Sequence, residues 1–151
     1  MSKSRLRWSG YILILAAIVG FAIHGRRLPA SPGNVTQITI PPEDRFVPYA
    51  VTIHVGDSVR WVNTDADDHT VVSNDRYNTA GHHGINFVLK ANGGSLTLKF
   101  DHAGVFPFYC RFHSMLDKVQ QPMAPGPEGG IQDANGNYGT PMNGVVTVVD
   151  D

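Results

Sequence analysis

Ala50-Val51-Thr52-Ile53-His54-Val55 alternates β-branched and polar residues, meets Gly56-Asp57, and returns as Ser58-Val59-Arg60-Trp61-Val62-Asn63. Two period-two runs divided by a Gly-Asp pair are the local signature of two strands joined by a tight turn, so a β-hairpin is expected here. The same texture continues on both sides. Val35–Ile40 alternates upstream, and downstream come His69–Ser73, Asn86–Lys90, Ser95–Phe100 after Asn92-Gly93-Gly94, Val105–Cys110 and Val145–Val149. Short strands at roughly ten-residue spacing, with no segment of convincing helical periodicity in this region, predict an all-β fold, a Greek-key β-sandwich.

Two segments break the pattern. Residues 116–141 carry Pro122, Pro125, Pro127, Pro141 and several glycines, show no periodic apolar face, and read as a long loop before the last strand. Within it, Asp133-Ala134-Asn135-Gly136-Asn137 has the oxygen-rich composition of a calcium loop but neither the spacing nor the closing glutamate, so it reads as a polar turn. At the other end, Lys3, Arg5 and Arg7 precede an uncharged apolar run, Gly10 to Ile23. That is the layout of a secretory signal, and its apolar core falls short of the roughly 17 residues a full membrane span usually needs. Trp8 and Tyr11 suit interfacial anchoring. Cleavage could follow Ala22 or Ala30, with an uncleaved anchor slightly favoured. Both readings place the folded part outside the cytoplasm, periplasmic or on the outer face of the membrane. Residues 1–33 are thus expected to be signal or anchor plus a Pro/Gly-rich linker, and 34–151 a single domain.

Charge excludes one class of partner. From residue 34 onward there are seven basic side chains against thirteen acidic, a net charge near −6. A nucleic-acid binder needs a basic face, which this domain lacks. An acidic domain suits a partner with a positive patch.

The single cysteine, Cys110, stands in Tyr109-Cys110-Arg111-Phe112-His113, about forty residues after Asp68-His69-Thr70-Val71-Val72-Ser73. An internal disulfide is therefore excluded. One thiolate and two imidazoles can close a three-coordinate soft-metal site, and with a distant axial thioether they form the ligand set of a blue-copper centre. Cys110 ends an alternating strand and His113 falls in the turn after it, so a two-residue gap can bring both to one metal. His82-His83 could form a second, weaker metal site or a pH-responsive patch, but exposed loop histidines are the more common case. His54 and His102 read as solvated. Trp61, Phe106, Phe108 and Phe112 read as core and as an apolar wall around the metal.

Three segments, Val51–Asn63, Asp68–Ser73 and Gly104–His113, resemble the cupredoxins, and within them the small blue-copper proteins of the plastocyanin, amicyanin and pseudoazurin group. Met142-Asn143-Gly144-Val145-Val146-Thr147-Val148 is similar to that family's closing Met-x-Gly-Val strand. The resemblance spans about residues 35–151. It implies one type 1 copper per chain, with His69, Cys110 and His113 as strong ligands and His113 at the solvent edge. For the axial thioether it implies Met142, whose strand context matches; Met115, two residues after His113, is the alternative, and Met123 or no methionine at all a remoter one.

The function implied is single-electron carriage between extracytoplasmic redox partners such as a cytochrome, oxidase or reductase, not an enzymatic activity. No group is poised for acid–base or nucleophilic catalysis, since Cys110 lacks an oxyanion site and a third orienting residue. A second reading is copper delivery, storage or resistance, suggested by the loop methionines and His82-His83. A third is a subunit of a membrane respiratory assembly, with the long loop as its docking surface.

Overall fold

A computed structural model describes residues 33–125 and 139–150. The signal or anchor segment and much of the 116–141 stretch lie outside these residues. The strands are β1 (Val35–Ile40), β2 (Ala50–His54), β3 (Ser58–Asn63), β4 (His69–Ser73), β5 (Asn86–Leu89), β6 (Ser95–Lys99), β7 (Gly104–Tyr109), β8 (Met115–Leu116), β9 (Pro122–Met123) and β10 (Asn143–Val149). Among the described residues there is no helix.

Two sheets form a sandwich. One has the order β1-β3-β6 and the other β2-β10-β7-β4-β5. Alternation decides what lies between them: β10 and β3 bury every second residue. Ile38, Ile40, Val59 and Trp61 from the smaller sheet meet Ile53, Val71, Leu89, Phe106, Phe108, Val146 and Val148 from the larger in one core. Trp61 packs edge-on against Phe108, ring centres 5.3 Å apart, and Phe108 against Phe46 at 4.8 Å. Such edge-to-face pairs contribute about 0.5–1.5 kcal/mol beyond the area they bury.

All eight expected strands are present, but the opening hairpin is not. β2 pairs in parallel with β10, and β3 pairs with β1 and β6, so the two strands belong to opposite sheets. Gly56-Asp57 is the corner of an arch. The Asp57 N–H closes the turn on His54 O at 3.0 Å, while the amides before it reach other strands: Val55 N–H donates to Val149 O at 2.9 Å and Gly56 N–H to Phe100 O at 2.7 Å. The Asp57 carboxylate accepts from the amides of His54 (3.1 Å) and Asn34 (2.7 Å), bonds that hold it below the usual carboxylate range. Gly56, at φ 96°, supplies the left-handed turn. A hairpin and an arch share one local pattern; the arch wins because it lets Ile53 face Val59 and Trp61 across the core.

The long loop is also corrected in part. β8 and β9 form a two-stranded ribbon inside it, pairing Met115 with Met123 and Leu116 with Pro122. Phe112, expected in the core, is 42% exposed, with the Arg111 guanidinium 4.5 Å over its ring.

The closing strand requires its glycine. A Cβ on Gly144 would lie 2.6 Å from Phe108 Cζ and 2.8 Å from the Tyr49 carbonyl oxygen. The Phe108 ring is clamped by Phe46 and Trp61 and cannot yield. Gly144→Ala is expected to destabilise the domain by about 1–3 kcal/mol, read as a lower melting temperature by circular dichroism. An unchanged melting temperature would show that this end of the core has slack.

Candidate metal centre

Cys110 directly follows β7, and its position is set by the β7–β10 ladder. The antiparallel register pairs Asn143 with Tyr109, so the next position along each strand brings Met142 against Cys110. Cys110 N–H donates to Met142 O at 2.9 Å, and Met142 N–H to His113 O at 3.4 Å. His113 N–H donates back to Cys110 O at 3.2 Å, closing the Cys110-Arg111-Phe112-His113 turn. Met142 thus holds both ends of the turn, and Ser114 Oγ–H adds a bond to its carbonyl at 3.0 Å. His69 opens β4, which pairs beside β7.

These constraints bring together the three residues singled out in the sequence. Cys110 Sγ lies 3.8 Å from His69 Nδ1 and 3.6 Å from His113 Nδ1. All three ligand atoms lie within 4.8 Å of one another, and Cys110 and His69 are fully buried. The His113 side chain keeps 24% exposure. Metal–nitrogen and metal–sulfur bonds of roughly 2.0–2.3 Å can bridge such separations. One thiolate and two imidazoles are the donors that serve both copper oxidation states.

The methionines divide. Met142 is fully buried in the cluster that contains Cys110, whereas Met115 is 53% exposed and Met123 47%. His82 is spent on the core wall: its Nε2–H donates to Lys99 O at 2.7 Å and its ring packs edge-on to Phe100. His83 faces Asp75 at 3.5 Å on the surface. Among the described residues no further ligand joins them, so the second histidine site finds no support.

Sequence reasoning missed the groups behind the donors. Thr70 donates to Cys110 Sγ from its amide at 3.3 Å and from its hydroxyl at 3.5 Å, and that hydroxyl accepts Arg111 N–H at 2.9 Å. Its place beside His69 could have flagged it. Asp65 had no such signal. It is buried, and its Oδ2 lies 3.0 Å from His69 Nε2. Burial works against its charge, but hydrogen bonds from His69 and the Ala66 amide outweigh it and hold the carboxyl below its usual range. An ionised Asp65 places the His69 ring proton on Nε2 and leaves the Nδ1 lone pair facing Cys110. Asp44 Oδ1 lies 3.5 Å from the same nitrogen and 3.8 Å from His113 Nε2. Burial pushes the Asp44 carboxyl up despite the two rings.

A β-sandwich that closes a thiolate and two imidazoles at one end is the class of a cupredoxin-type copper protein. A model of the copper-binding plastocyanin/azurin family matches residues 42–120. The chain is 30% identical to chloroplast plastocyanin of Tetradesmus obliquus over 128 residues, covering 78% of this chain and 88% of the relative. It is 33% identical to plastocyanin of Scenedesmus fuscus over 72 residues, 45% of this chain and 74% of that one. Two solved structures share the fold. A methionine-to-glutamine variant of amicyanin in its Cu(I) form gives a TM-score of 0.51 at 19% identity, covering 77% of this chain and 83% of that one. A purple cupredoxin from Nitrosopumilus maritimus gives 0.50 at 22% identity, covering 76% and 99%. The chain belongs to the plastocyanin/azurin family of copper-binding proteins, and its cofactor is copper.

Proposed function

We propose that this protein is a type 1 copper electron carrier holding one copper per chain, with His69, Cys110 and His113 as the strong ligands. The observation that carries the reading is the buried Cys110 Sγ set between His69 Nδ1 and His113 Nδ1. Copper bound there supplies a one-electron couple. The protein's part is to hold donors that suit both oxidation states, to exclude water from His69 and Cys110, and to leave the His113 edge open for electron exchange. Membership of the copper-binding family favours a carrier over an enzyme.

Met142 is the axial ligand in this reading. Its backbone is bonded to both ends of the Cys110–His113 turn, and its side chain is fully buried in the same core cluster as Cys110. Met142→Leu is expected to raise the reduction potential and alter the visible spectrum, while Met115→Leu leaves both unchanged. The reverse pattern would transfer the axial role to Met115.

The partners are extracytoplasmic redox proteins, a cytochrome, oxidase or reductase, with residues 1–33 acting as the export signal or membrane anchor. The basic–apolar layout of residues 3–23 and the net charge near −6 of the rest support this. The decisive experiment is a Cu(II) titration of the full-length chain followed by visible absorption, electron paramagnetic resonance and redox cycling. One tightly held copper with an intense thiolate band, small hyperfine splitting and reversible cycling is expected. Pale, exchangeable copper would overturn electron carriage and favour copper delivery or storage.

A further inference from the structure

We propose that Met115 and Met123, opposed on the solvent face of the β8–β9 ribbon, form a second, surface site for Cu(I). The pairing is direct: Met115 and Met123 are cross-strand partners in an antiparallel ribbon. Residues directly opposite share a face, with Cβ atoms about 4.5–5.5 Å apart. The next pair, Leu116 and Pro122, takes the other face and is half-buried, while both methionines stand about half-exposed. Two thioether–metal bonds of about 2.3 Å each span about 4.6 Å, a gap that two unbranched methionine side chains can set.

The ribbon is held in place, so the pair is pre-organised. At its tip, Asn74 Nδ2–H donates to Gln120 O and Tyr77 O–H to Val119 O, each at 2.7 Å. The Asp117 amide donates to Gln121 O at 2.9 Å, closing the turn. By antiparallel alternation Pro122 then sits where a ladder amide would point away from its partner, so the proline costs the ribbon no bond. At its base, Ser114 is tied to the Met142 carbonyl. The ribbon begins two residues after His113, whose side chain is about one-quarter exposed, at the metal end of the sandwich.

The chemistry selects the ion. Thioethers are soft, neutral donors that favour Cu(I) over Cu(II) and over hard divalent ions. The net charge near −6 of the domain attracts a monovalent cation to the surface. The proposed site shares no ligand with the buried centre and does not rest on the electron-carrier reading.

The test uses the full-length chain with its buried centre filled by one equivalent of copper and reduced, titrated with Ag(I) as a redox-silent analogue of Cu(I). The Met115 and Met123 methyl resonances, assigned from the leucine variants, are expected to shift together and saturate at one further equivalent. Chelator competition with Cu(I) is expected to show binding at least tenfold weaker in Met115→Leu and in Met123→Leu, with the visible spectrum of the oxidised centre unchanged. The proposal is overturned if the methyls shift at different concentrations, if neither saturates, or if either leucine variant keeps the full affinity. In that event the exposed pair is an apolar contact for a protein partner. Because the thiolate band is read separately, failure of this site and failure of the blue-copper reading give different results.

Discussion

Cys110→Ser abolishes the thiolate-to-copper absorption of the loaded protein and weakens copper binding by more than the 10–100-fold that changes behind a ligand cost. Cys110 is the only cysteine, so no other thiol can take its place. Serine has nearly the same shape, but its hydroxyl does not ionise at neutral pH and is a hard donor for Cu(I). The Thr70 amide and hydroxyl that now point at sulfur would face a neutral oxygen. A persistent intense visible band in the serine variant would place the metal elsewhere.

The metal-free protein offers a second reading of the same residue. Burial alone would push the Cys110 thiol up, but hydrogen bonds from His113, His69 and Thr70 outweigh it and bring the group down to about 5. A thiol in the unfolded chain ionises near roughly 8.5. Between those values the unfolded chain holds a proton that the folded chain has lost, so this contribution to stability grows with pH. It is complete only above about 8.5 and gone below about 5. His113 is raised chiefly by its bond to the thiolate; His69 is raised by Cys110 and Asp65 in spite of burial. Their contribution runs the other way, full below about 6.5 and lost as pH rises through their raised values. The melting temperature of the apoprotein is therefore expected to fall as pH drops from about 6.5 to about 5, where the histidine contribution is already full and the thiolate contribution is still being lost, and Cys110→Ser to flatten that fall. Thermal scans of both apoproteins between pH 4 and pH 8 check it.

Asp65→Asn raises the reduction potential and lowers Cu(II) affinity by about 10–100-fold. The carboxylate stabilises the more highly charged metal state and the ring orientation of His69 together. At an effective dielectric near 20, removing one negative charge this close to a ligand is worth on the order of 1–3 kcal/mol, or up to about 0.1 V for one electron. Asparagine can still accept the His69 Nε2–H with its amide oxygen. Asp65→Ala cannot, and leaves a buried N–H unpaired at a further cost of about 1–3 kcal/mol in stability. The two variants separate charge from positioning. Asn shifts the potential with the copper hyperfine splitting intact, and Ala changes both. A potential unmoved in Asp65→Asn would mean that the neighbouring Asp44, 3.5 Å from the same nitrogen, carries the charge effect instead.

Strand existence was legible in the chain because alternation is a local property. Val145–Val149 or Ser95–Phe100 shows its buried face without reference to any partner. Sheet membership was not. Ala50–Asn63 has the pattern of a hairpin, yet its corner amides bond Val149 and Phe100, residues roughly 40 to 95 positions away. The Cys110–His113 turn was readable from its spacing, since a three-residue offset is what one tight turn closes. His69 joined it only through the resemblance of its strand to a known family. Register separates the two methionines: the β7–β10 ladder sets the Met142 backbone against Cys110, while Met115 stands about half-exposed on the ribbon.

By itself the sequence determined the strands and paired Cys110 with His113, because each follows from residue type and short spacing; His69 and the copper class came with the resemblance of its strand to a known family. The tertiary structure alone decided the arch between the sheets, the carboxylates of Asp65 and Asp44 behind His69, and the opposition of Met115 to Met123. An acidic residue among thirteen, or a methionine in a proline-rich stretch, carries no pattern that marks its partner. Asp44 reaches within 3.5 Å of His69 only in the folded sandwich, and the ribbon pairing sets Met115 opposite Met123.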